Sequence, residues 1–290
     1  MTLLEFADVS FRYPDGSVGL NACSLAIARG SRNALVGANG SGKTTLFQHG
    51  NGLLRPQSGV VRYAGKTLDY SRGGLRELRS RVGLVFQNPD HQLFSASVQE
   101  DVSFGPINLG LDDATVRQRV TDALRAVGML DCASKAVHNL SFGQKKRVCI
   151  AGVLAMEPEL LILDEPMAGL DHAMRTELAA VLDGLQARGI TLLLATHDID
   201  FAYRWADQIH VMIAGRCSAS LPCAELEEFE QRHNALSDAG LPLPSVLTLH
   251  RQLVAQGVLP NQASPRSHAE LLDRLATHKE HRSRQEVSCG

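Results

Sequence analysis

Gly37-Ala38-Asn39-Gly40-Ser41-Gly42-Lys43-Thr44 follows the apolar run Asn33-Ala34-Leu35-Val36 and leads into a segment of helical character from Lys43. The octet fits the pattern G-x-x-x-x-G-K-[ST], and the physical reason for that pattern is anion binding. Its glycines let successive backbone N–H groups converge on phosphate oxygens, and the helix N-terminus behind them adds a positive dipole. Lys43 has the reach to neutralise β- and γ-phosphates, and the Thr44 hydroxyl suits Mg²⁺.

Working outward, the segment that complements this loop is Leu160-Leu161-Ile162-Leu163-Asp164-Glu165. An acid at the carboxyl end of a buried strand faces the ligand crevice of an open α/β sheet. Asp164 is placed to hold Mg²⁺ directly or through water, and Glu165 to act on a water molecule. Two adjacent acids would be an electrostatic cost without a cation to use them. Further apolar runs at Val82 to Phe86, Thr191 to Ala195 and Ile209 to Ile213 predict more buried parallel strands, and so an α/β fold. Leu4 to Phe11 and Leu20 to Ile27 read as strands around the Pro14-Asp15-Gly16 turn, and Val60 to Tyr63 as another. From about Pro89 the pattern is helical, with Ser97-x-x-Glu100 as a capping box and Val116, Val120, Leu124 and Val127 at helical spacing. After Cys217 three helices are expected: Ala224 to Ala239, Ser245 to Gln256, and one starting at Ser267-x-x-Glu270. The last ten or so residues are expected to be disordered.

Composition sets the outer bounds. The chain has 290 residues, 29 Lys+Arg against 31 Asp+Glu, a net charge of −2, and 44% hydrophobic residues. That describes an ordinary globular protein, with one large domain and an appendage or two small domains. The balanced charge provides no net drive toward nucleic acid or anionic lipid. No run of about 18 apolar residues occurs, so a membrane span is not expected, and the Met1-Thr2-Leu3-Leu4-Glu5 start does not read as a signal peptide. The six cysteines follow no zinc or C-x-x-C spacing and read as free thiols of a reducing compartment. His278 and His281 read as part of a solvated tail, and Lys145-Lys146-Arg147 as a solvated helix face.

Three further segments narrow the class: Leu140-Ser141-Phe142-Gly143-Gln144-Lys145-Lys146-Arg147, Gln87 after the Val82 strand, and His197 after Thr196. With them the chain, from about Leu3 to Cys217, resembles the ATPase subunits of ABC transporters. The resemblance implies a P-loop NTPase (RecA-like) core with an antiparallel β subdomain and a helical subdomain over about 88–155. It makes 1–217 the ATP-binding domain and 218–290 a helical C-terminal extension. It implies ATP and Mg²⁺ as ligands, and a head-to-tail dimer with a second such subunit, here a homodimer. By resemblance Tyr13 stacks on adenine. Gly37, Ala38, Asn39, Gly40, Ser41, Gly42, Lys43, Thr44 and Thr45 bind phosphates or Mg²⁺, the metal being held by Thr44, Gln87 and Asp164. Ser141, Gly143 and Gln144 approach the γ-phosphate of the other subunit's ATP. Glu165 acts as general base or water polariser, His197 contacts the γ-phosphate, and Asp171 communicates across the dimer. Phosphoryl transfer fits this division, since it needs positioning and charge neutralisation above all.

Gln87-Asn88-Pro89-Asp90-His91-Gln92-Leu93-Phe94 and Val98 to Pro106 are similar to the energy-coupling-factor importers, and Leu140 to Met156 is most similar to their cobalt and nickel systems. The implied setting is the cytoplasmic face of a membrane, on a transmembrane coupling protein touched by Gln92 to Phe104 and beside a substrate-binding membrane component. A vitamin importer of the same class is the alternative. A soluble ABC ATPase of DNA repair or translation would carry two cassettes or long coiled coils, and the sequence shows one phosphate loop and no heptad insertion. A non-hydrolysing regulator would have no use for Glu165 and His197. Phe142, Met167 and His172 depart from the family's common Gly, Thr and Pro; none removes a ligand.

Overall fold

The computed structural model describes residues 1–288, with side chains through Lys279. The chain starts with β1 (Thr2–Arg12), β2 (Val18–Ala28) and β3 (Arg32–Val36), then α1 (Lys43–Gly50) behind the phosphate loop. It continues through β4 (Ser58–Tyr63), the short β5 (Lys66–Thr67), α2 (Arg72–Arg81) and β6 (Val82–Val85). The helices α3 (Val98–Asn108), α4 (Asp113–Ala126) and α5 (Phe142–Leu154) precede β7 (Leu160–Asp164) and α6 (His172–Ala187). Next come β8 (Thr191–Thr196), α7 (Ile199–Trp205), β9 (Gln208–Ile213) and β10 (Arg216–Pro222). The C-terminal region adds α8 (Leu226–His233), α9 (Ala235–Asp238), α10 (Ser245–Ala255) and α11 (His268–Ser288).

The described residues form two sheets. One runs β2-β1-β4-β5 and is antiparallel. The other runs β10-β9-β3-β8-β7-β6, parallel from β9 to β6, with β10 antiparallel at its edge. Side chains alternate across a strand, so a strand buried on both faces sends alternate residues into two cores. Leu160, Ile162, Leu193 and Ala195 pack toward the antiparallel sheet and α1 with Leu4, Phe6 and Phe47. Leu161, Leu163, Leu192 and Leu194 pack to the other side with the helices, among them Val102, Leu124, Val148 and Leu182. The crossovers bring the carboxyl ends of β3, β7 and β8 side by side, and the functional loops leave from there.

The structure departs from the sequence reading in four places. The chain over 224–239 is two helices, because Asn234 adopts φ 51°, a left-handed conformation that ends α8. α2, β5 and β10 were not expected. A boundary after Cys217 falls inside β10, whose residues pair with β9 through Pro222. The backbone is helical through Ser288 where disorder was expected, while Cys289 and Gly290 lie outside the described residues. Leu226, Leu236, Leu247 and Leu271 of the C-terminal helices join the same core as the parallel sheet.

Candidate active site

The phosphate loop connects the centre of the parallel sheet to α1. Gly42 caps that helix at φ 104°, and a Cβ there would lie 2.6 Å from the Gly19 carbonyl oxygen, so only glycine fits. Lys43 is buried at 7% exposure, and its Nζ donates to Gly37 O at 2.7 Å and Ala38 O at 3.0 Å. Burial pushes this ammonium below its usual range, against an opposing pull from Glu165 and Asp164. Ser41 Oγ is buried in the loop without a hydrogen-bond partner. Thr44 Oγ1 donates to Asp164 Oδ2 at 2.7 Å, joining the first turn of α1 to the end of β7. Desolvation raises Asp164 above the ordinary carboxylate range, and the Thr44 hydroxyl works against that.

Glu165, the next residue, sits at φ 46°, a left-handed conformation that costs a non-glycine residue roughly 1–3 kcal/mol. The residue is 8% exposed. His197, beyond β8, places Nδ1 3.0 Å from Glu165 Oε2. A cavity of about 530 Å³ opens in front of these groups, within the range that takes small ligands. Tyr13 stands at its mouth, with its hydroxyl 2.9 Å from Thr45 Oγ1 and its ring edge-on to Phe11. Asn39, Gly40, Gly42, Lys43, Thr44, Thr45, Gln87, Asp164 and Glu165 line it. Gly37, Ala38, Ser41 and His197 do not line it; Gly37 and Ala38 accept from Lys43, and His197 contacts Glu165. Converging amides, a cation and a hydroxyl–carboxylate pair form a donor set suited to a nucleoside triphosphate with Mg²⁺.

Ser141, Gly143, Gln144 and Asp171 are not in this cavity. Ser141 and Gln144 form a reciprocal capping box on α5, with Gln144 N to Ser141 Oγ at 3.3 Å and Ser141 N to Gln144 Oε1 at 3.0 Å. Asp171 caps α6 by accepting from Met174 N at 2.8 Å. Two features went unread in the sequence. Ser17, Val18 and Gly19 line the cavity mouth, and the signal for them was the Pro14-Asp15-Gly16 turn that returns the chain past Tyr13. Lys146 is the larger correction: it is no solvated residue but 3% exposed, and its Nζ donates to the carbonyls of Glu165, Pro166 and Ala168. Burial lowers its ammonium to about 8. Its neighbours are spent on ion pairs, Lys145 with Asp90 at 2.7 Å and Arg147 with Glu177 at 3.2 Å.

Comparison with known proteins identifies the family and the fold. The family model for the ABC transporter matches residues 20–168. The energy-coupling factor transporter ATP-binding protein EcfA of Methanocaldococcus jannaschii is 48% identical over 74% of this chain and 77% of its own. Among solved structures, cbiO1 of Clostridium perfringens, described as part of the ABC transporter complex cbiONQ, is 44% identical with a TM-score of 0.72, over 80% of this chain and 96% of its own. The ATP-binding cassette MJ0796, solved as a dimer in a post-hydrolysis state with ADP and Pi, is 25% identical with a TM-score of 0.69, over 76% of this chain and 99% of its own. Phosphate loop, paired acids at a strand end and adjoining histidine thus sit on the fold of a known group of ATPases: the chain belongs to the ABC transporter family, in its branch of energy-coupling-factor ATP-binding proteins, and it is an ATPase.

Proposed function

We propose that this chain is the ATP-hydrolysing subunit of an energy-coupling-factor importer for cobalt or nickel ions, and that it acts as a homodimer on membrane partners with Mg²⁺ at its nucleotide site. The observation that carries the chemistry is the pair of contacts at the strand ends, Thr44 to Asp164 and His197 to Glu165. Bound Mg²⁺ supplies charge neutralisation on the phosphates. Thr44, Asp164 and Gln87 are the residues that would hold it. Lys43 exchanges its loop carbonyls for phosphate oxygens, and Ser41 Oγ gains the partner it lacks. Tyr13 offers its ring to the adenine. Glu165 polarises the attacking water, with its carboxylate held by His197. Ser141, Gly143 and Gln144, at the start of α5 and outside their own cavity, are free to face a second copy's ATP, where the α5 N-terminus favours the γ-phosphate charge. Asp171 then lies on the loop between the two sites.

The membrane contact has its own surface. A cleft of about 830 Å³ runs between α2, α3 and α5, lined by Leu75, Leu84, Phe86, Phe94, Phe104 and Met156 among others. Phe94 and Phe104 meet edge-on at 4.8 Å and are 65% and 51% exposed. Apolar rings left in the open read as a docking site, here for the transmembrane coupling protein. Gln92 joins that cleft to the nucleotide site, accepting from Phe86 N, next to Gln87, and donating to Cys149 O on α5. Among the described residues no helix is long and apolar enough to cross a membrane. In the proposed complex the ion passes through the partners, and this chain sits on the cytoplasmic face of the membrane. The similarity to cbiO1 supports such a complex. Cells carrying the chain with its membrane partners should take up radioactive cobalt or nickel, and lose that uptake with Lys43→Ala. Uptake of a vitamin and of neither metal would replace the cargo and leave the ATPase reading intact.

A further inference from the structure

Lys146 is a buried cation that the reaction as described does not use. It projects from α5 toward the segment between β7 and α6, and all three of its N–H donors are taken: by Glu165 O at 3.0 Å, Pro166 O at 2.9 Å and Ala168 O at 2.8 Å. Its ammonium also lies 5.2 Å from the centre of the Phe142 ring. An ammonium has no more than three donors, so the side chain serves wholly as a three-point clamp on one turn. That turn is the strained one, with Glu165 at φ 46° and Ala168 N bonded back to Glu165 O at 3.1 Å. A left-handed non-glycine residue persists only where its surroundings over-determine it.

We propose that Lys146 is a positioning residue for ATP hydrolysis: by binding the carbonyls of Glu165, Pro166 and Ala168 it fixes the turn that aims the Glu165 carboxylate. The inference rests on the reading of Glu165 as the group that polarises water. It has a second consequence. α5 begins with Ser141–Gln144, which face the other subunit's ATP, so Lys146 ties the base of one site rigidly to the donors the same subunit lends to the other.

Lys146→Met keeps the volume of the stem and leaves three buried carbonyls without a donor. In the purified full-length chain with Mg²⁺ and ATP, we expect kcat to fall about tenfold or more, since misplacing a reacting group by about 1 Å can cost up to about a hundredfold. ATP affinity and KM should stay within about twofold, and Lys146→Gln, which retains two N–H donors, should recover part of the loss. Combined with Glu165→Gln, Lys146→Met should cost nothing further. Turnover of Lys146→Met within about twofold of the parent would overturn the proposal. So would a fall in kcat matched by an equal fall in ATP affinity, the mark of general damage. Should the Met variant not fold, the same two criteria are read on Lys146→Gln. A Glu165→Gln variant that still turns over would instead remove the underlying reading of Glu165.

Discussion

His210 shows how one side chain couples the fold to pH. It lies on β9 at 1% exposure, between Ser220 Oγ at 2.8 Å and Asn33 Oδ1 at 3.2 Å. The Asn33 amide nitrogen is spent on Ser31 and on Leu192 O, so its oxygen faces the ring; Nε2 therefore carries the proton and Nδ1 accepts from the serine. Burial pushes this imidazole from an ordinary value of 6.5 down to about 4. The unfolded chain then binds a proton that the folded one refuses, so stability is full above about pH 6.5 and is lost as pH falls toward 4. The loss reaches on the order of 3 kcal/mol at its limit. Urea unfolding at pH 7.5 and pH 5 checks this: the parent should lose stability on acidification, and His210→Gln should lose less. Equal slopes would show that His210 is not the titrating group. At this scale the sequence was legible where contiguous residues build one feature, as in the loop from Gly37 to Thr44. It was not legible for Lys146, whose acceptors lie about twenty positions away and whose neighbours are basic.

Helix ends were legible for the same local reason. Ser97 with Glu100 N and Ser267 with Glu270 N both appear as caps. Interruptions set by a single backbone angle, such as Asn234, leave no periodic trace. The elements also show how the C-terminal region is tied to the core. α7 follows directly from His197, and Arg266 closes its far end by donating from Nη2 to Tyr203 O at 2.5 Å and Ala206 O at 2.6 Å. At the near end Ser245 N and Oγ both donate to Asp200. A charged donor lost from helix-end carbonyls costs about 2 kcal/mol. Arg266→Ala should lower stability by roughly that amount in a urea titration, and Arg266→Lys by less. Unchanged stability in Arg266→Ala would mean the extension merely lies on α7.

At the scale of the molecule, the alternation of Leu160 to Leu163 and Leu192 to Ala195 between two cores shows why continuous apolar runs became central strands. β10 is less plain in the sequence because the residues it turns inward, Cys217, Ala219 and Leu221, are mostly small. Ser141 and Gly143 do not line the cavity of their own chain. On the proposed reading, a site lacking its final donors is completed only when a second copy closes on it, and hydrolysis then releases the pair. The most direct measurement is the mass of Glu165→Gln in solution, with and without Mg²⁺ and ATP, alongside phosphate release. The expected result is a monomer without nucleotide and a stable dimer with it, binding ATP while hydrolysis falls by about a hundredfold or more. A protein that stays monomeric with ATP, or one that releases phosphate at the parent's rate, would contradict it.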